Sequence, residues 1–292
     1  MEIARPTQGR GIGTWLLWIV TVISPLVVQS AEMEWLPAGT IFPYRYLDPT
    51  ACQNGISLLS YEVEGESQQL LYVPVSLSMR QQFIQAYHAD RPKWEIGMEF
   101  SIFSQFSVVD VGEVFMGGLQ NADYRIGAAY HYQHQPTVYY RLGLFHQSSH
   151  LGDDYIIRNF IDSATLRTLN YEQLDFTYLR TYGVWAIYGL LGYNVSPHTV
   201  RKRLLLQGGG DWRASFSKVS GLAWVGGMDM KVYEHNDYRP NIRFGWGVEL
   251  AREELPLMKL LLTYYQGHLP YSTLEYQQVR LAGLSLIFHL SN

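Results

Sequence analysis

Apolar and polar residues alternate with a period of two in segment after segment of this chain, with Gly, Pro, Asn and Asp between the segments, as half-buried β-strands require. Between Trp94 and Ser107, the side chains of Trp94, Ile96, Met98, Phe100, Ile102 and Phe106 fall on one face. Glu95, Gly97, Glu99, Ser101 and Gln105 fall on the other. The stretch from Asp123 to His131 sorts into Tyr124, Ile126, Ala128 and Tyr130 against Asp123, Arg125, Gly127 and His131. Helical spacing would mix these sets. The same pattern predicts strands over 138–150, 171–180, 184–193, 203–212, 221–231, 241–251, 257–268 and 277–290. Two weaker ones, over 55–62 and 71–83, bring the number to twelve.

The character of the two faces separates a membrane barrel from a soluble sandwich. A sandwich hides its apolar face in a shared core and covers its outer face with Lys, Glu and Thr. Here the polar face is Gly, Tyr, Gln, Ser and isolated charges. Phe244, Trp246, Val248 and Leu250, opposed by Arg243, Gly245, Gly247 and Glu249, fit a stave that is apolar outside and polar inside. The uncharged run 182–200 contains Gly183, Gly189, Gly192, Asn194 and Pro197, which argue for a Gly-rich hairpin strand over a spanning helix. The expected fold is therefore all-β, an antiparallel transmembrane β-barrel of about 12 strands. Connection lengths give it a direction: the breaks at 133–136, 181–183 and 252–256 are short and assigned to the periplasm. Those at 108–119, 151–170, 233–240 and 269–276 are longer and assigned to the outside.

Composition agrees with a protein that meets lipid: charged residues are 16% and aromatic residues 14%, with 22 Tyr and 8 Trp. Arg5 and Arg10 precede an apolar run from Thr14 to Val28 that ends near Ser30 and Ala31, the pattern of a cleavable signal peptide. The run is too short for the roughly 20 residues of a spanning helix. The expected organisation is a signal peptide over 1–31, an N-terminal periplasmic segment over 32–54 and an outer-membrane barrel over 55–292. A net charge of −4 with scattered Lys and Arg excludes a nucleic-acid surface. A single cysteine, Cys52, excludes a disulfide framework and a Cys-based metal site. No cofactor or metal is expected. The expected partners are outer-membrane lipid and the barrel-assembly machinery, because the last strand, with Ala282, Leu284, Leu286, Phe288 and Leu290 on one face, resembles the C-terminal signal such machinery reads. Nothing in the pattern specifies an oligomer.

The densest reactive cluster is HQSSHLGDD, His146 to Asp154. By phase, His146, Ser148 and His150 continue the lipid face of Val138, Tyr140, Leu142 and Leu144, while Arg141, Gly143, Gln147 and Ser149 face the lumen. His146 and His150, four residues apart on a strand, are separated by about 13 Å and cannot share one ion. Asp153 and Asp154 lack EF-hand spacing. Elsewhere, Glu95, Glu99, Asp123, Arg125, Arg243 and Glu249 are expected as lumen charges. Their balanced signs favour a filled interior over a selective pore.

A His-x-Ser pair on the outside of a barrel resembles the active sites of outer-membrane phospholipase A and of lipid A deacylases. That resemblance implies Ser148 as nucleophile, His146 as its general base, and Asn159, Asp153 or Asp154 as the orienting third residue. The usual Asn after the Ser is replaced here by Ser149. LPAGTIFPYRYLDP (Leu36–Pro49), NADYRIG (Asn121–Gly127), HQSSHLGDD, HNDYRP (His235–Pro240) and YYQGHLP together resemble an uncharacterised family of bacterial outer-membrane barrels, a domain of unknown function. That resemblance implies the location and no activity. The sequence reading is thus an outer-membrane barrel, structural or small-solute conducting, with lipid hydrolysis as the alternative.

Overall fold

The computed structural model describes residues 32–65, 70–88, 91–110, 115–162, 169–196, 201–216, 221–252 and 255–288. The signal-peptide expectation and the last position of the C-terminal pattern, Leu290, lie outside them. The strands are β1 (Glu32–Trp35), β2 (Asn54–Val63), β3 (Leu70–His88), β4 (Arg91–Asp110), β5 (Phe115–Gln135), β6 (Val138–Leu151), β7 (Leu169–Tyr182), β8 (Trp185–Asn194), β9 (Leu204–Ser215), β10 (Leu222–Tyr233), β11 (Pro240–Arg252), β12 (Leu255–His268) and β13 (Gln278–Phe288). One short helix, α1 (Asp153–Arg158), follows β6.

Each strand from β2 to β13 pairs antiparallel with the next, and β13 returns to β2, so twelve strands close into an up-and-down barrel. Closure leaves no open edge, so the strands' backbone groups pair with neighbours in the wall, which is what allows strands to cross lipid. Among the described residues, no helix is long and apolar enough to cross. β3 to β5 run 19, 20 and 21 residues, well past the predicted bounds. A membrane strand needs about 9–11, so these three project beyond the bilayer. β1 pairs with Ile84–Tyr87 of β3, the stretch that extends past β2.

Ile96, Met98 and Phe100 on β4, Leu142 and Leu144 on β6, Phe176 on β7, Ile187 on β8 and Phe244 and Trp246 on β11 are all exposed on the outer face. An apolar face of that extent has lipid as its solvent. The alternate positions point inward, and Glu95, Asp123, Arg141, Lys231, Glu249 and Lys259 are buried. Short connections join β3 to β4, β5 to β6, β7 to β8 and β11 to β12 at one end, here the turn end. The helix α1 and the 233–240 and 268–278 loops lie at the other, the loop end.

Within the 32–54 segment expected as periplasmic, β1 is exposed and paired with β3, whereas residues 40–53 enter the barrel. From the turn end, residues 40–53 rise into the bore and return to Asn54. Thr40 Oγ1 donates to Glu95 of β4, and Ile41 N donates to the same carboxylate at 3.0 Å. Phe42 stacks on His131 of β5 at 4.9 Å. Tyr46 Oη donates to the Gly226 carbonyl of β10 at 3.0 Å. Leu47 needs the glycines opposite it: a Cβ on Gly245 would lie 2.5 Å from Leu47 Cδ2, and one on Gly227 2.9 Å from Cδ1. Lys231 Nζ reaches Asp48 Oδ1 at 2.5 Å and Thr50 Oγ1 at 2.6 Å, and Arg125 Nη1 donates to the Thr50 carbonyl at 2.7 Å. The plug is therefore bonded to β4, β5 and β10, on opposite walls.

A second closure comes from the loop end. Leu269, Tyr271 and Leu274, in the loop after β12, are buried against Tyr61, Tyr72, Phe103 and Tyr265. Thr273 N donates to Ser149 Oγ at 3.0 Å, which ties this cap to β6.

Candidate functional site

HQSSHLGDD is two-sided because a strand sends successive side chains to opposite faces. Inward, Gln147 accepts from Arg125 Nε and Nη2 at 2.9 and 2.6 Å and donates to Asp123 Oδ2 at 2.7 Å. Ser149 donates to Asp123 Oδ1 at 2.5 Å. Gly152 follows where the backbone passes closest to β5, since a Cβ there would lie 2.1 Å from the Leu119 carbonyl oxygen. Asp154 accepts from Leu119 N at 3.1 Å. Much of the motif thus fixes the wall, the cap and α1.

Outward, His146 and His150 are exposed and Ser148 half-buried, on one face near the loop end. Among the described residues, no hydrogen bond joins His146 to Ser148. Asn159 stands apart from both: it caps α1, with Nδ2 donating to the Tyr155 carbonyl at 2.8 Å. The helix turns that amide back onto its own backbone, which sequence proximity alone could not reveal. Glu172 stands beside His146 instead. β6 and β7 are in register with His146 opposite Glu172 and Ser148 opposite Asn170. His146 Nδ1 meets Glu172 Oε1 at 2.7 Å, with both side chains nearly half exposed. The other Glu172 oxygen accepts from Ser196 Oγ, and Glu172 N donates to Ser196 Oγ at 2.7 Å. One carboxylate therefore holds the Nδ1 side of an imidazole on the lipid-facing surface and leaves Nε2 for another partner, the arrangement that an acid–histidine–nucleophile set uses.

Each of the six lumen charges lines the bore. Glu95 is enclosed by His131 Nδ1 at 2.6 Å, Gln85, Thr40 and Ile41 N. Glu99 bridges Arg80 at 3.0 Å and Arg141 at 2.7 Å. Arg141 also reaches Asp175. Glu249 receives Lys259 at 2.5 Å and Arg213 at 2.6 Å. Arg125 lies over Phe145, 4.2 Å from the ring centre. Arg243 differs, with one long bond to Ser285 Oγ at 3.4 Å. Among the described residues, no group of three or more His, Cys, Asp or Glu is placed to hold a metal ion.

The family model described as "Protein of unknown function (DUF1207)" matches residues 27–290. The chain belongs to that family. Its match takes in the plug segment, all twelve staves and the HQSSHLGDD stretch. No curated protein matches the chain. Among solved structures, outer membrane phospholipase A from Escherichia coli is similar at 11% identity and a TM-score of 0.51, over 81% of this chain and 92% of that one. An active-site mutant of the same phospholipase gives 12% and 0.54, over 86% and 94%. The Salmonella typhi outer membrane phospholipase dimer with bound calcium gives 11% and 0.52, over 86% and 92%. At such identities the likeness is one of fold: this DUF1207 chain is a membrane β-barrel built like bacterial outer-membrane proteins.

Proposed function

We propose that this DUF1207 protein is a sealed barrel of the Gram-negative outer membrane, delivered by its N-terminal signal peptide. It does not conduct solute, and its work is done at its lipid-facing surface and loop end. The observation that carries this reading is the plug: residues 40–53 cross the bore and are locked by the Asp48–Lys231 pair, while the 268–278 cap closes the loop end. An open pore keeps a hydrated path lined with charge, whereas here most of the inward cations are joined to carboxylates. Liposomes carrying the protein should swell in isotonic arabinose no faster than protein-free liposomes. Swelling at the rate of a general porin would contradict the proposal.

The His146–Glu172 bond favours a second reading, lipid acyl hydrolysis at the outer rim. Ser148 would attack the ester carbonyl, and His146 would take the hydroxyl proton and pass it to the lysolipid oxygen as the C–O bond breaks. Water activated by His146 would then release the fatty acid from Ser148, and Glu172 would hold the imidazole throughout. Release of fatty acid from labelled phospholipid by the wild type, lost in Ser148→Ala, is its test. Equal release by both proteins would remove it.

A further inference from the structure

Between the plug and the cap lies a cavity of about 50 Å³, lined by Gln53 of the plug, Tyr72, Arg243 and Thr263 of the wall, and Tyr271 of the cap. One buried water needs roughly 10–15 Å³ by a comparable measure. The space therefore suits several waters or one compact polyatomic ion.

Its polar lining is unbalanced. Arg80, Arg141, Lys231 and Lys259 each meet a carboxylate within 3.0 Å. Among the described residues Arg243, the fourth residue of β11, instead has only the 3.4 Å bond to Ser285 Oγ, although it lines the cavity. Asp48 and Asp229 act on it through space without bonding it. A guanidinium withdrawn from water without a counterion carries a large desolvation cost, and its planar fork suits an oxyanion. The Tyr72 hydroxyl, fully enclosed, is without a hydrogen-bond partner among the described residues. Gln53 Oε1 is also without one, and its orientation is fixed because Nε2 donates to the Tyr46 and Asp48 carbonyls at 3.2 and 3.0 Å.

We infer that this cavity is a binding site for a small protonated oxyanion of the hydrogen phosphate class. Arg243 and the Tyr72 hydroxyl donate to its oxygens, and Gln53 Oε1 accepts from its P–OH. A simple carboxylate has no hydroxyl to offer Gln53, so phosphate binds more tightly than acetate. The site lies inside the barrel, between plug and cap, and takes a free ion, not a lipid headgroup.

The test is calorimetric titration of sodium phosphate, and separately sodium acetate, into the full-length refolded protein. It is run in a phosphate-free maltoside detergent at constant ionic strength. Phosphate should bind, acetate should bind at least several-fold more weakly, and R243Q should lose tenfold or more in phosphate affinity. A charged hydrogen bond contributes on the order of 1.5–3 kcal/mol, so Y72F should weaken phosphate by about tenfold or more. Y72F removes one oxygen from the interior and keeps the test valid if R243Q does not refold to heat-modifiable barrel. Absence of phosphate binding, or equal affinity in wild type and Y72F, overturns the inference and leaves a water-filled cavity. A response only to micelles containing phosphatidylglycerol also overturns it, by putting the anion on the outer wall.

Discussion

Lys231, buried near the loop end of β10, donates at 2.5 Å to the carboxylate of Asp48, which lies 183 positions earlier in the chain and is equally buried. The pair joins the plug to the wall. Thr50 N and Oγ1 both donate to the same Asp48 oxygen at 2.9 Å, so the turn of the plug is organised around this carboxylate. Removing the acid leaves an ammonium buried without a partner, which typically costs about 3–5 kcal/mol. Asp48→Ala should therefore lower the denaturation midpoint and expose residues 36–53 to protease. The double variant Asp48→Ala/Lys231→Met should recover much of the loss. Additive losses in a double-mutant cycle would contradict this role.

Acid should act on the same lock. Burial opposes ionisation of Asp48, but Lys231 and Arg45 outweigh it and hold the carboxyl well below the usual range. Glu275, in the cap, is likewise held low: burial opposes its charge, and Arg201 at 3.0 Å and His235 at 3.2 Å outweigh burial. Both folded values lie below the unfolded ones, so their stabilisation is complete above the unfolded carboxylate range of roughly 3.9–4.3 and is lost as pH falls below it. Stability in detergent should be flat in this contribution between pH 7 and about 5 and decline below about 4. Asp48→Asn combined with Glu275→Gln should flatten that decline, and an unchanged acid limb would refute the assignment.

Leu47 sits against bare backbone. Gly245→Val should drive its side chain into Leu47 and destabilise by about 1–3 kcal/mol through overpacking. Since the conflict is with the far end of a flexible side chain, Leu47→Ala should relieve part of it. Denaturant midpoints of the two single variants and the double variant measure that coupling, and strict additivity would place Leu47 elsewhere.

If the outer rim cleaves acyl esters, Glu172 matters to the rate without touching the ester. Glu172→Gln should leave folding intact and reduce fatty-acid release by a factor between about ten and 10⁴, as loss of an orienting acid does elsewhere. Asn159→Ala, at the end of α1, should leave the rate unchanged. The reverse ranking would restore Asn159 to the site.

The wall is legible in the sequence because a lipid-facing strand writes its orientation into every second residue. Phe244 and Trp246 against Arg243 and Gly245 leave one phase, and the pairing with β10 and β12 follows from it. The plug is not, since LPAGTIFPYRYLDP has no period. The partners of its Thr40, Ile41, Tyr46 and Asp48 are Glu95, Gly226 and Lys231, all distant in the chain. Glu172 escapes a sequence reading for a related reason: only the β6–β7 register brings it to His146, whereas Asn159 is nearer in sequence and farther in space. A signal is present all the same, because Glu172 is a charge between Tyr171 and Gln173 in the lipid-facing phase of β7, where a charge is costly without a partner.

The central claim is that the bore is sealed by the chain's own residues 40–53, and single-channel recording in planar lipid bilayers tests it most directly. Wild-type protein should show no current steps, and a variant lacking 40–50 should show stable ohmic steps. Wild-type steps as large as those of the deletion variant would contradict the account.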